Sequence, residues 1–126
     1  MKFTEVAFTT YPVTNLSRAR QFYGQTLGLK ETMAYEGKDN KGRDMGWIEY
    51  DIGPGTLAIA FGEVIGQPSS DGAWVGLEAE NFDEAVKELR QKGVKFISEP
   101  METPVCWMCT IADPDANQIT IHKRKS

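Results

Sequence analysis

Apolar positions along the chain follow two periods, and the order of those periods occurs twice. Between residues 73 and 79, Val75, Leu77 and Ala79 alternate with Trp74, Gly76 and Glu78, the period of a strand with one face on a core. Directly after it, Phe82, Ala85, Val86 and Leu89 fall at i, i+3, i+4 and i+7, the apolar stripe of a helix. Asn81 supplies an N-cap, Glu84 stands at the capping-box spacing, and Asp83 and Glu84 suit the positive helix start. Lys92-Gly93 closes it. The first half reads alike: a strand at about 4–11, then a helix from Asn15 through Leu16, Ala19, Phe22 and Tyr23 to Gly28. Three strands follow each helix, at about 29–35, 45–52 and 56–61, and at about 94–97, 105–112 and 118–122. Gly53-Pro54-Gly55 and Pro114-Asp115-Ala116-Asn117 read as turns, and Glu36 to Asp44 as a polar loop.

The two halves match residue by residue, with an offset that drifts. Asn15-Leu16-x-x-Ala19 corresponds to Asn81-Phe82-x-x-Ala85 at an offset of 66, and Leu27-Gly28-Leu29-Lys30 to Lys92-Gly93-Val94-Lys95 at 65. Asp51 to Ile59 corresponds to Asp113 to Ile121 at 62, and the drift is assigned to small deletions in loops. The expected fold class is α+β, one domain of two tandem βαβββ modules. Module one covers about 2–62, a linker about 63–72, and module two about 73–123.

A chain of 126 residues with 40% hydrophobic positions has the size of one ordinary domain. The net charge of −4 argues against nucleic-acid binding, which needs a basic face. The basic run from His122 to Lys125 is read as a solvated tail. No apolar run approaches the roughly 20 residues that span a bilayer, and the first residues carry no apolar stretch of signal-peptide length. The expected location is cytoplasmic, with no membrane partner. Cys106 and Cys109 spell C-x-x-C, but Val105, Trp107, Met108 and Thr110 around them have strand character. Residues three apart in a strand lie about 10 Å apart on opposite faces, beyond the reach of a disulfide. Two buried or half-buried thiols are expected rather than a redox or zinc site.

Phe22-Tyr23 with Leu27-Gly28-Leu29, and Asp113-Pro114-Asp115-Ala116-Asn117-x-Ile119, resemble two signatures of the vicinal oxygen chelate superfamily, which includes glyoxalases, bleomycin-resistance proteins and dioxygenases. The second signature ordinarily has Gly where this chain has Ala116, which leaves the turn geometry to Asn117. The resemblance spans nearly the whole chain. It implies two βαβββ modules forming a cup-shaped mixed sheet, with helices outside and a ligand site inside. Enzymes of the family hold a divalent metal through His, Gln or Glu on the first and last strands of each module. The matching positions here are Phe8, Ala58, Trp74 and Thr120. Phenyl, methyl, indole and hydroxyl groups are not the donors such a centre needs. The resemblance therefore points to a metal-free, bleomycin-resistance-like member with no cofactor.

Strand parity nominates the cup face. Leu57 and Ile59 share parity and face the helix. A tight turn at Gly53-Pro54-Gly55 pairs Tyr50 with Leu57, Glu49 with Ala58 and Trp47 with Ala60. Trp47 and Glu49 then face the cup. The same counting in the second half pairs Ile111 with Thr120 and Cys109 with His122, and places Trp107 in the cup too. The candidate ligand-binding residues are Phe8, Trp47, Glu49, Ala58, Trp74, Trp107, Thr120 and His122. Aromatic walls with a carboxylate suit a planar or cationic small molecule. Rings that plug the cup, or that pack at a dimer interface, are the alternative.

The expected function is small-molecule binding, as a sequestering or carrier protein, in a homodimer. No catalytic residues are assigned, because no set of nucleophile, base and orienting group is visible. A lyase, isomerase or dioxygenase-like enzyme is the alternative, with Glu49 or His122 moving protons. An interaction module with a filled cup is the third reading.

Overall fold

A computed structural model describes residues 1–126. The chain divides into two compact units, Met1–Pro68 and Ser69–Ser126, each an α+β module with a helix and a four-stranded mixed sheet.

The first module holds β1 (Thr9–Pro12), α1 (Leu16–Arg20), β2 (Glu31–Lys38), β3 (Asp44–Ile52) and β4 (Gly55–Gly62). Its sheet runs β1-β4-β3-β2. β1 lies parallel to β4, and the other pairs are antiparallel. The second module repeats this with β5 (Val75–Glu78), α2 (Phe82–Gln91), β6 (Lys95–Glu102), β7 (Cys106–Ala112) and β8 (Gln118–Arg124), in the order β5-β8-β7-β6. Asn15 and Asn81 cap their helices as expected, their side-chain oxygens accepting the N–H of Arg18 at 2.9 Å and of Glu84 at 3.1 Å. Gly28 and Gly93 end the two helical segments, each at φ +73°.

Each core lies between helix and sheet. Leu16, Ala19, Phe22 and Tyr23 bury against Ile48, Tyr50, Leu57 and Ile59 in module one. Phe82 and Leu89 do so against Cys109, Ile111, Ile119 and Ile121 in module two. Tyr23 stacks between Tyr11 and Tyr50, at centroid distances of 6.4 and 6.1 Å. The Tyr50 hydroxyl is covered and has no hydrogen-bond partner. Burial pushes its pKa up to about 12. Cys106 and Cys109 are both free and buried.

Several boundaries differ from the sequence expectation, among them β6, which runs to Glu102 rather than ending near residue 97. β1 begins at Thr9 rather than near residue 4, because Thr9 already pairs with Leu57, close to the β4 hairpin turn. The loop expected at 36–44 is shorter: β2 runs to Lys38 and β3 starts at Asp44, leaving a turn over 39–43. The change in offset from 66 to 65 lies inside a helix, not a loop. After Arg20 the chain continues through Gln21–Thr26 as a π-helical turn, in which the Leu27 N–H donates to the Phe22 carbonyl five residues back. A wider turn absorbs one extra residue while the helix keeps its face.

Candidate functional site

Residues paired across a sheet share a face, so the registers state which side chains stand together. In module one they agree with the sequence expectation: Trp47 pairs with Ala60, Glu49 with Ala58 and Tyr50 with Leu57. Thr10 pairs with Ala58 on the other side of β4. The face away from α1 therefore carries Trp47 and Glu49 over a floor of Ala58 and Ala60, both fully buried. Ala58 thus supports this surface from beneath rather than forming its contact layer. Phe8, just ahead of β1, packs edge-on against Trp47 with ring centroids 5.1 Å apart and planes at 87°. The Trp47 indole N–H donates to Glu49 Oε2 at 2.8 Å. That bond fixes the ring and leaves the other carboxylate oxygen for a further partner. The Thr10 hydroxyl oxygen is covered and has no hydrogen-bond partner.

Two members of this face were missed in the sequence. Met33 pairs with Glu49 and Tyr35 with Trp47, so both belong to the helix-free face, and both are exposed. The Tyr35 hydroxyl donates to the Lys38 carbonyl at 2.8 Å and accepts from the Lys38 N–H at 3.2 Å. Its ring lies along the strand because Gly37 has no side chain: a Cβ there would stand 2.7 Å from the Tyr35 oxygen. Both lie in the strand expected at about 29–35, and their alternation is the available signal; without a register against β3 it does not say which face they take.

In module two the expected register is off by one. Ile111 pairs with Ile119, Thr110 with Thr120, Cys109 with Ile121, Met108 with His122 and Trp107 with Lys123. Trp107 therefore shares the face of Cys109, Ile111, Ile119 and Ile121, against which α2 packs, and stands opposite Thr120 and His122. There the Lys125 ammonium sits 5.0 Å from its ring centroid. The cause is the turn. Two residues separate Ile52 from Gly55 in the first hairpin, whereas Asp113 pairs with Asn117 around three residues in the second. An odd loop shifts the facing parity. Ala116 itself takes the left-handed conformation, at φ +67°, so the geometry is not left to Asn117.

The helix-free face of module two is polar. Thr110 and Thr120 hydroxyls lie 3.3 Å apart. His122 Nδ1 lies 2.5 Å from Glu78 Oε1, and Glu78 Oε2 accepts the Arg124 N–H at 2.7 Å. These two donors hold the Glu78 carboxyl below its ordinary range, the Arg124 amide contributing most. Gly76, paired with Thr120, has nothing within 4 Å of where a Cβ would stand. Trp74 stands just ahead of β5 and is 61% exposed. Phe8, Trp47, Glu49 and Ala58 thus come together in module one, and Thr120 and His122 in module two, with Trp74 beside β5.

Two surface depressions of the first module lie away from this face. One of about 530 Å³ is bordered by Leu16, Lys38, Met45 and Phe61, and one of about 580 Å³ by Arg20, Gln25 and Glu31. Neither includes a nominated residue.

No group of three or more His, Cys, Asp or Glu side chains is placed to hold a metal ion. Phe8, Ala58, Trp74 and Thr120 do not fit the metal centre of the family's enzymes. No helix is long and apolar enough to cross a membrane.

Solved structures share the fold. An antibiotic binding protein from Streptomyces sp. CB03234, TnmS3, is 20% identical, with 99% of each chain covered and a TM-score of 0.76. A superfamily member from Sphaerobacter thermophilus DSM 20745 is 24% identical over 96% of this chain and 98% of that one, with a TM-score of 0.72. A glyoxalase family protein from Enterococcus faecalis is 18% identical over 98% of this chain and 100% of its own, with a TM-score of 0.75. No curated protein matches the chain in sequence. The family model described as Glyoxalase/Bleomycin resistance protein/Dioxygenase superfamily matches residues 5–121, and with its paired βαβββ modules the chain belongs to that superfamily.

Proposed function

We propose that the protein binds and sequesters a planar aromatic small molecule, with a preference for cations, and that the helix-free face of module one supplies the stacking surface. The observation that carries this reading is the Phe8–Trp47 pair, with the Trp47 indole N–H held by Glu49. Rings fixed in this way offer stacking area at little entropic cost, and the carboxylate beside them attracts positive charge. The antibiotic-binding role in the name of a structural relative supports small-molecule binding. Within module two, Thr120 and His122 share the helix-free face, and Trp107 lies on the opposite one. Two free, buried thiols fit a reducing, cytoplasmic setting.

Calorimetric titration with N-methylquinolinium and with neutral 1-methylnaphthalene tests it. Both bind saturably, the cation more tightly. Trp47→Ala weakens both by about 30-fold, the size of a lost aromatic anchor of roughly 2 kcal/mol. Glu49→Gln weakens only the cation. Equal affinities in wild type and Trp47→Ala, or no saturable binding of either, refute the proposal. We further propose a homodimer, since β2 and β6 each leave a sheet edge without a partner strand; a monomer mass in light scattering at tens of micromolar refutes it.

A further inference from the structure

The polar face of module two contains a carboxylate–imidazole pair that the stacking surface does not use. Glu78 is fixed through both oxygens, one by the Arg124 N–H at 2.7 Å and the other against His122 Nδ1 at 2.5 Å. A carboxylate at Nδ1 takes the proton-bearing nitrogen as its donor, so the tautomer is set and the lone pair of neutral imidazole stands at Nε2. His122 is on the helix-free face, in register with Met108 and Glu78. Its side chain is 29% exposed, and no other hydrogen bond of its ring takes up Nε2. The next residue along this face of β8 is Thr120, with open space above Gly76 beside it. The result is an oriented hydrogen-bond acceptor at the edge of an unfilled surface.

We propose that His122, positioned by Glu78, recognises a ligand hydroxyl of phenol or enol type, which donates to Nε2. This goes beyond the stacking surface of module one and concerns module two by itself: the ligand class at His122 is hydroxylated aromatic compounds. An acidic hydroxyl suits the site because it is a stronger donor than an alcohol and meets a ring already polarised by the carboxylate behind it. Glu78 acts through His122 and is a positioning residue. The step is a hydrogen bond, with no bond made or broken in the ligand.

The test compares 2-naphthol with 2-methoxynaphthalene, of the same ring but without the donor, by calorimetry on the full chain at mildly alkaline pH. The expected result is binding of both, with 2-naphthol at least 10-fold tighter. His122→Phe, which keeps a ring of similar size, removes the difference while still binding 2-methoxynaphthalene. Glu78→Gln keeps an acceptor for Nδ1 and retains part of the preference; Glu78→Ala loses it. The chain has one histidine, so imidazole nitrogen NMR gives one pair of signals. They show the Nδ1-protonated tautomer in wild type, a shift of Nε2 on adding 2-naphthol, and a mixed tautomer in Glu78→Ala. Equal affinities for the two probes in wild type, or an Nε2 signal unmoved by 2-naphthol, overturn this inference while leaving the stacking surface intact. Failure of both probes to bind overturns the two together.

Discussion

Replacing Ala116 by glycine should stabilise the protein, and the chain carries its own control for the argument. The β2–β3 and β7–β8 turns are the same device. Asp39 and Asp113 each open a three-residue loop, donating their N–H to the carbonyl four residues on, Arg43 at 2.8 Å and Asn117 at 2.9 Å. In each, the fourth residue donates back to the aspartate carbonyl at 3.0 Å. Asp39 Oδ1 accepts from Lys41 and Arg43 N–H at 2.8 and 3.0 Å. Asp113 Oδ1 accepts from Asp115 and Asn117 N–H at 2.8 and 2.9 Å. The fourth residue is left-handed in both, Gly42 at φ +78° and Ala116 at φ +67°, the hairpin loop of a turn followed by one left-handed residue. A left-handed non-glycine residue costs about 1–2 kcal/mol, and glycine returns about 0.4–1 kcal/mol through its freer unfolded chain. Ala116→Gly should therefore gain about 0.5–1 kcal/mol. Unfolding entropy of roughly 2.1 cal/mol/K per residue makes that about 2–4 °C in Tm for 126 residues. Gly42→Ala should lose a similar amount, and the double variant should return close to wild type, because the turns lie in separate modules. Calorimetric melting decides it. A Tm for Ala116→Gly at or below wild type, with Gly42→Ala lowered, would mean that Ala116 is not strained and the equivalence of the turns is wrong.

Other predictions concern groups without partners and groups with strong ones. Thr10→Val and Tyr50→Phe remove covered hydroxyls that have no hydrogen-bond partner, so urea unfolding should show stability unchanged or raised by up to roughly 1 kcal/mol in each; a loss above that range would show the hydroxyl is satisfied. Arg20 Nε and Nη2 each donate to Glu31 at 2.8 Å, and that pairing holds the Glu31 carboxyl below its ordinary range. A depressed carboxylate contributes stability above its unfolded pKa and loses it as pH falls through the folded value. Melting temperature should therefore drop in acid below about pH 4.5, less steeply in Glu31→Gln; identical acid limbs would refute the link.

What the sequence made legible was local. Alternation, the helix stripe and the Asn15 and Asn81 caps each depend on residues a few positions apart, the repeat is the recurrence of those local patterns 62 to 66 positions on, and the structure has them. The first hairpin register was legible too, because Gly53-Pro54 is a two-residue turn with no slack. The second was not, because its parity depends on whether residue 116 adopts a left-handed conformation, and alanine gives no sign that it will. One position of slip carried Trp107 to the wrong face and put Met108 out of sight. Met33 and Tyr35 were lost for a related reason: their strand was expected, but without a register against β3 its alternation does not say which face they take.

The two modules differ at equivalent positions of their helix-free faces. Ala58 and Thr120 hold equivalent positions beside Thr10 and Gly76. Their antiparallel partners are Glu49 and Thr110, and two residues away Trp47 answers to Met108 and Ala60 to His122. The bulk is therefore exchanged between strands. Module one puts its ring on β3 over alanine on β4, whereas module two puts its ring on β8 beside the unbranched Met108. Pro12, which has no N–H to give, answers to Glu78, whose carboxylate reaches back along β8 to the Arg124 N–H. The same backbone thus presents stacking rings in one module and oriented hydrogen-bonding groups in the other.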